Sequence, residues 1–211
     1  MYLYSTLRTY LEDASSAKPT PGGGSIAAAA GALGMSMACM AANFTVGKKK
    51  FKAVEGEVRK QLDACMKARD DLLRLMDEDT RAYAEVSAAY GMPKETPEEK
   101  TARTAAIQAA LVVAMDAPLK AVRVCRDALR ATAALVEIAN PNLISDVGVA
   151  ALLGEAALRA AKLNVEINLH GLKDKNLVEK TRAEIDEAAV EGKTHAAAVM
   201  TRVVKGVGGT V

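Results

Sequence analysis

Apolar residues recur along most of the chain at alternating steps of three and four, the spacing that lines one face of an α-helix. Leu3, Leu7, Tyr10 and Leu11 predict a short amphipathic helix from Tyr2 to Glu12, stopped by Pro19 and Pro21. Gly22, Gly23 and Gly24 then lead to Ser25, a residue suited to N-cap an apolar helix running from Ile26 to about Asn43. Ala27, Gly31, Gly34 and Ala38 give that helix small faces against which a neighbouring backbone can pack closely, so it is expected at the centre of the fold.

A third, long helix is predicted from about Phe51 to Tyr90, with a stripe through Val58, Leu62, Cys65, Leu72, Met76, Tyr83 and Val86. Arg69 and Asp79 fall on the same stripe, where a charge needs a partner or a job. Thr96 with Pro97 and Glu99 signals the start of a fourth helix, expected to reach Ala139 with a kink at Pro118 and to end at Asn140-Pro141. A fifth follows NLISDVG and runs to about His170, and a sixth runs from about Asp174 to Val204. The pattern predicts an all-α fold: a single-domain bundle, residues 1–211, of about six mostly antiparallel helices with long central ones.

Composition narrows what such a bundle can be made of and do. Half of the 211 residues are apolar, yet only 3% are aromatic and Trp is absent, so the core must be built from Ala, Leu, Val and Met. The 28 basic and 26 acidic residues are interspersed, which gives no field that would draw a nucleic acid. Cys39, Cys65 and Cys125 form an odd set in helical surroundings, as expected of reduced thiols in a cytoplasmic protein. The opening MYLYSTLRTYLED lacks the basic-then-apolar order of a signal peptide. Only Pro19 to Gly47 is uncharged for long enough to raise a membrane span, but with Leu33 its only leucine it reads as a helix buried inside the bundle.

Several segments carry candidate chemistry. The PGGGS turn fits neither a Walker phosphate loop nor a dinucleotide fingerprint. It reads equally as a linker or as a site, in which backbone N–H groups at the positive end of a buried helix face an anionic or carbonyl-bearing ligand. Lys48, Lys49 and Lys50 either satisfy that helix's C-terminal dipole or meet ligand carboxylates. His170 and His195 each follow a glutamate by four residues, the wrong spacing for a di-iron bundle, so no metal is expected. Asn140, Asn142, Ser145, Asp146, Asn164 and Asn168 punctuate an otherwise apolar stretch. Asp146 and Asn164 are eighteen residues apart, which on one helix is five turns and roughly 27 Å. One helix cannot bring both to one small molecule, whereas an antiparallel copy related by a two-fold axis can. Helix capping and polar helix contacts are the structural alternative.

In order, PTPGGGS with its apolar helix, TVGKKKF, MDEDTRAY, YGMPKETPEEKTAR, and SDVGVAALL followed by LNVEINL resemble the cyclodeaminase/cyclohydrolase family that acts on one-carbon folates. The resemblance spans about residues 5 to 190 and is nearest to the free-standing methenyltetrahydrofolate cyclohydrolases. It implies an all-helical homodimer with the site at the subunit interface, a folate substrate with or without a polyglutamate tail, and no cofactor beyond that substrate. One departure is IANPNLISD, where a glycine is expected before the first Asn and Pro141 stiffens the loop.

The chemistry so implied is water addition to the positive amidinium carbon between N5 and N10 of 5,10-methenyltetrahydrofolate, with collapse to the 10-formyl product. It needs a base for the water and groups that steady charge. On the matching positions, Asp146 is the first choice of base and Asp79 the second, with Ser145 beside them. A lysine near a cation is repelled unless neutral, so Lys48 and Lys49 fit the glutamate tail or the developing formyl oxygen. Gly22, Gly23, Gly24, Ser25, Thr45, Asn142, Asn164 and Asn168 complete the expected substrate-binding set, with Ser25, Ser145, Asn164 and Asn168 placed to hold water and pterin through hydrogen bonds. The related formimino substrate, which releases ammonia, and a non-catalytic folate-binding bundle are the other readings.

Overall fold

A computed structural model describes residues 1–208. After a short 3-10 turn at Tyr2–Tyr4 come α1 (Leu7–Ala14), α2 (Gly23–Asn43), a 3-10 turn at Lys49–Val54, α3 (Glu55–Tyr90), α4 (Pro97–Val136), a 3-10 turn at Pro141–Leu143, α5 (Ile144–Gly171) and α6 (Lys175–Gly206). No strand occurs among the described residues. The helices α2, α3, α4 and α5 pack in a ring of neighbours, and α6 fills the groove between α4 and α5. Contacts near the helix ends fix the directions. Ser25 meets Asp79, Arg103 meets Tyr90, Gln108 meets Gly171, and Asn140 meets Thr45, so each of the four runs antiparallel to the next.

The small faces expected on α2 are used as predicted. A Cβ on Gly34 would stand 3.1 Å from the Ala150 carbonyl oxygen and 3.3 Å from the Gly154 nitrogen, so α2 and α5 touch backbone to backbone there. Around this contact the core is Met35, Leu72, Leu129, Leu135, Leu158 and Ile185, with alanines filling the narrow gaps. The Thr96 capping box is formed in full, its hydroxyl accepting from Glu99 N–H and the Glu99 carboxylate accepting in return from the backbone of Thr96.

Three expectations need correction. The first helix is split at Ser5, and Leu7 and Leu11 face outward at 69% and 54% exposure, leaving Tyr10 as the inward residue. Ser25 is not a cap, because α2 starts two residues earlier with Gly22 as N-cap and Ser25 lies fully buried in the first turns. The fifth helix begins at Ile144, so Ser145 and Asp146 sit in its first turn, and Leu143, not either of them, occupies the cap position. The caps are instead carried upstream, where Asn140 accepts from Asn142 N–H with Pro141 in the first position of the 3-10 turn.

Candidate functional site

The expected site residues fall into two groups at opposite ends of α2, whose 21 residues span about 30 Å. The first group surrounds the start of α2. A cavity of about 450 Å³ opens there between α2, the C-terminal half of α3, α4 and the end of α5, within the range of roughly 300–1,000 Å³ usual for small-molecule sites. Gly22, Gly23, Gly24, Asp79, Asn164 and Asn168 all line it.

Asp79 is held from behind. Its Oδ2 accepts the Ser25 N–H at 2.9 Å, and the Ser25 hydroxyl is in turn engaged by Tyr10 Oη at 3.0 Å. Gly24 has no room for a side chain, since a Cβ would stand 2.1 Å from Asp79 Oδ1. Burial pushes the Asp79 carboxyl above its ordinary pKa, and the Ser25 N–H partly offsets that. Asn164 donates through Nδ2 to the Ala160 carbonyl at 2.9 Å, and Asn168 likewise to the Asn164 carbonyl at 2.8 Å. These bonds orient both carboxamides. Ser25, fully buried, supports Asp79 and does not itself reach the cavity.

The second group lies where the end of α2 meets the start of α5. Thr45 was expected to bind substrate, but it is buried with its hydroxyl spent, donating to the Ala41 carbonyl and accepting from the Asn140 N–H, both at 2.8 Å. Its job is to clamp the two helix ends together. Gly47, at φ +73°, turns the chain into the exposed Lys48, Lys49 and Lys50. Asn142 and Ser145 are exposed and Asp146 is half-buried; its carboxylate has no ion pair or hydrogen bond among the described residues. Within one chain Asp146 and Asn164 remain at opposite ends of α5.

Reading the sequence missed the rest of the cavity wall. Tyr83, Val86 and Tyr90 line it from α3, facing Ile167 of α5. Tyr83 and Val86 continue the apolar stripe that predicts core positions, yet Tyr83 is 46% exposed. Arg103 reaches across from α4 to donate to the Tyr90 carbonyl and stands over its ring, 5.7 Å from the centroid. Away from the cavity, Arg69 pairs with its neighbour Asp70, and Glu166 and Glu191, the glutamates preceding the two histidines, are engaged by Arg182 and Arg130.

A bundle of antiparallel helices with a polar-floored cavity at the N-terminus of its apolar central helix defines an all-helical, small-molecule-binding domain. Residues 6–187 match the family described as formiminotransferase-cyclodeaminase, and the chain belongs to that family. Its relatives include a methenyltetrahydrofolate cyclohydrolase of Methylorubrum extorquens, 42% identical over 186 residues, which are 88% of this chain and 89% of that protein. The formimidoyltransferase-cyclodeaminase of Rattus norvegicus is 36% identical over 94% of this chain, which spans only 37% of that longer protein. The crystal structure of a formiminotetrahydrofolate cyclodeaminase from Thermotoga maritima matches with a TM-score of 0.79 at 32% identity, covering 99% of this chain and 98% of its own.

Proposed function

We propose that the protein is a methenyltetrahydrofolate cyclohydrolase, converting 5,10-methenyltetrahydrofolate to 10-formyltetrahydrofolate in the cytoplasm with no cofactor beyond the folate. The observation that carries this reading is the nearly end-to-end match to a relative named for that single activity. The desolvated carboxylate in a ligand-sized cavity supplies the chemistry's first need, a negative group for a cationic substrate. Water adds to the amidinium carbon and gives up one proton to a carboxylate; the tetrahedral intermediate then loses its hydroxyl proton as the C=O forms, the carbon–N5 bond breaks and N5 takes up a proton, leaving the formyl group on N10 with one proton released overall.

The working unit in this proposal is a homodimer in which each site draws on both copies. Along α5, Val149, Leu152, Leu163 and Ile167 face outward at helical spacing, and Ile26, Leu33 and Met40 do so at seven-residue intervals on α2. Uncovered apolar stripes of this kind mark an interaction surface. A two-fold axis near Glu155 and Ala156 sets Val149 of one α5 opposite Leu163 of the other, and by the same symmetry Asp146 opposite Asn164. Asp146 then serves as base, with Asp79 as the second candidate. Ser145 and Asn142 stand beside Asp146, and Lys48 and Lys49 face the glutamate tail, polyglutamylated or single, or the formyl oxygen.

Purified protein is expected to remove the near-ultraviolet absorbance of methenyltetrahydrofolate faster than buffer does, and to run as a dimer on sizing with light scattering. No acceleration at micromolar enzyme sinks the activity. A second reading, formiminotetrahydrofolate cyclodeaminase, is favoured by the name of the structural relative; release of ammonia from the formimino substrate at a higher kcat/KM than methenyl hydrolysis would install it instead.

A further inference from the structure

The polar groups of the cavity at the start of α2 have a particular pattern. One carboxylate, two carboxamides, the His170 imidazole and the backbone of a glycine turn supply its polar groups, Tyr83, Tyr90, Leu111 and Ile167 give it flat apolar walls, and no lysine or arginine side chain lines it. A ligand carboxylate meets the Asp79 carboxylate there with only the His170 imidazole to set against it, so the glutamate end of a folate belongs elsewhere. What fits is a flat ring that offers N–H donors to Asp79 and an acceptor to the amide groups.

Asp79 is built to receive such donors. Oδ2 keeps a lone pair after accepting Ser25 N–H, and Oδ1 accepts no bond from a described residue. Two neighbouring ring N–H groups can therefore be met by the two oxygens together, the bidentate geometry in which carboxylates bind most strongly and most selectively. The carboxylate cannot swing away: Ser25 fixes one oxygen, Tyr10 fixes Ser25, and the absent side chain at Gly24 leaves it just enough space. Such rigidity suits recognition.

We infer that this cavity holds the aminopyrimidinone ring of the substrate's pterin, that Asp79 accepts from the ring's 2-amino group and adjacent N3–H, and that Tyr83 and Tyr90 flank its faces. Asp79 is thus a specificity residue, and proton transfer from water falls to another group, Asp146 in the dimer described above. The inference rests on the reading of the ligand as a folate, but not on which reaction follows.

The test is equilibrium binding to the full-length protein of two probes, tetrahydrofolate and its analogue carrying a methyl group in place of the 2-amino group. The wild type is expected to favour tetrahydrofolate about a hundredfold, because a buried acceptor left unpaired rejects the analogue. Asp79→Asn should lose most of the tetrahydrofolate affinity while changing analogue affinity no more than about threefold. In turnover it should raise the KM for methenyltetrahydrofolate much more than it lowers kcat. Equal binding of both probes by the wild type overturns the inference without any variant. So does an Asp79→Asn protein that keeps the discrimination, or one that loses kcat at unchanged KM. Discrimination abolished by Asp79→Asn in a protein that turns over neither folate substrate supports the inference while removing the proposed activity.

Discussion

Gly24→Ala separates the cavity from the rest of the fold by a single methyl group. The new Cβ would stand 2.1 Å from Asp79 Oδ1, 2.6 Å from its carboxyl carbon and 2.9 Å from Oδ2, whereas ordinary contact begins near 3.4 Å. The carboxylate must therefore retreat by more than an ångström, and it cannot do so while keeping the Ser25 N–H at 2.9 Å. Leaving that N–H unpaired in a buried turn costs about 1–3 kcal/mol. Alanine in place of glycine inside a helix returns about 1 kcal/mol, so the net loss of stability is about 0–2 kcal/mol. For a domain of this size that lowers Tm by no more than about 8 °C. Ligand binding should suffer far more, because the displaced carboxylate lines the cavity: kcat/KM is expected to fall about a hundredfold or further. Gly23→Ala is the internal control. Its Cβ meets only the terminal amide of Asn164, at 3.1 and 3.2 Å, which can rotate aside, so a loss of about tenfold at most is expected. Thermal melts by circular dichroism alongside the absorbance assay give both numbers. A Gly24→Ala protein with wild-type turnover and KM would refute the placement of Asp79 in the site.

Asp79→Asn should raise Tm near neutral pH even as it damages binding. A carboxyl whose folded pKa is raised above its ordinary value of 3.8 destabilises the fold increasingly as pH climbs from that value through the raised one, and contributes nothing below it. The Tm advantage of the variant should grow over that window and then level off, and a constant or inverse difference would contradict the burial. Cys65 and Cys125, whose thiols burial pushes up to about 12, should react with a thiol reagent only after denaturant is added, and rapid modification of the native protein at pH 8 would show the packing to be wrong. Thr96→Ala removes one half of the capping box and should cost about 0.5–2 kcal/mol in urea unfolding with turnover unchanged; a loss of activity at equal stability would mean that the α3–α4 loop takes part in the site.

The helices from α2 onward were legible because each carries its own local signal: glycines before α2, the Thr96 box before α4, Asp174 before α6, and an apolar stripe through each. The positions that misled were those where a tertiary partner outweighs the local pattern. Ser25 has the residue type of a cap, but Asp79 and Tyr10, distant in sequence, claim its N–H and hydroxyl and draw it inside the helix. Thr45 looked like a ligand residue in a polar motif and is a clamp, because Asn140 supplies the missing backbone donor from 95 residues away. The aromatic walls were hidden for the opposite reason. Tyr83 continues the spacing of the core stripe, and nothing in its neighbourhood announces that the bundle opens at that level.

The backbone contact at Gly34, Ala150 and Gly154 locks α2 to α5 midway between the two groups of polar residues. With the backbones of the two rods in direct contact beside the Leu153 side chain, the distance from the glycine turn to the lysines is set by residue count. Adding or deleting one residue on either rod beyond the lock would rotate everything downstream by about 100° and shift it about 1.5 Å, swinging one group out of line with the other. The chain should therefore tolerate substitution over much of its surface yet resist any change in the length of these two helices.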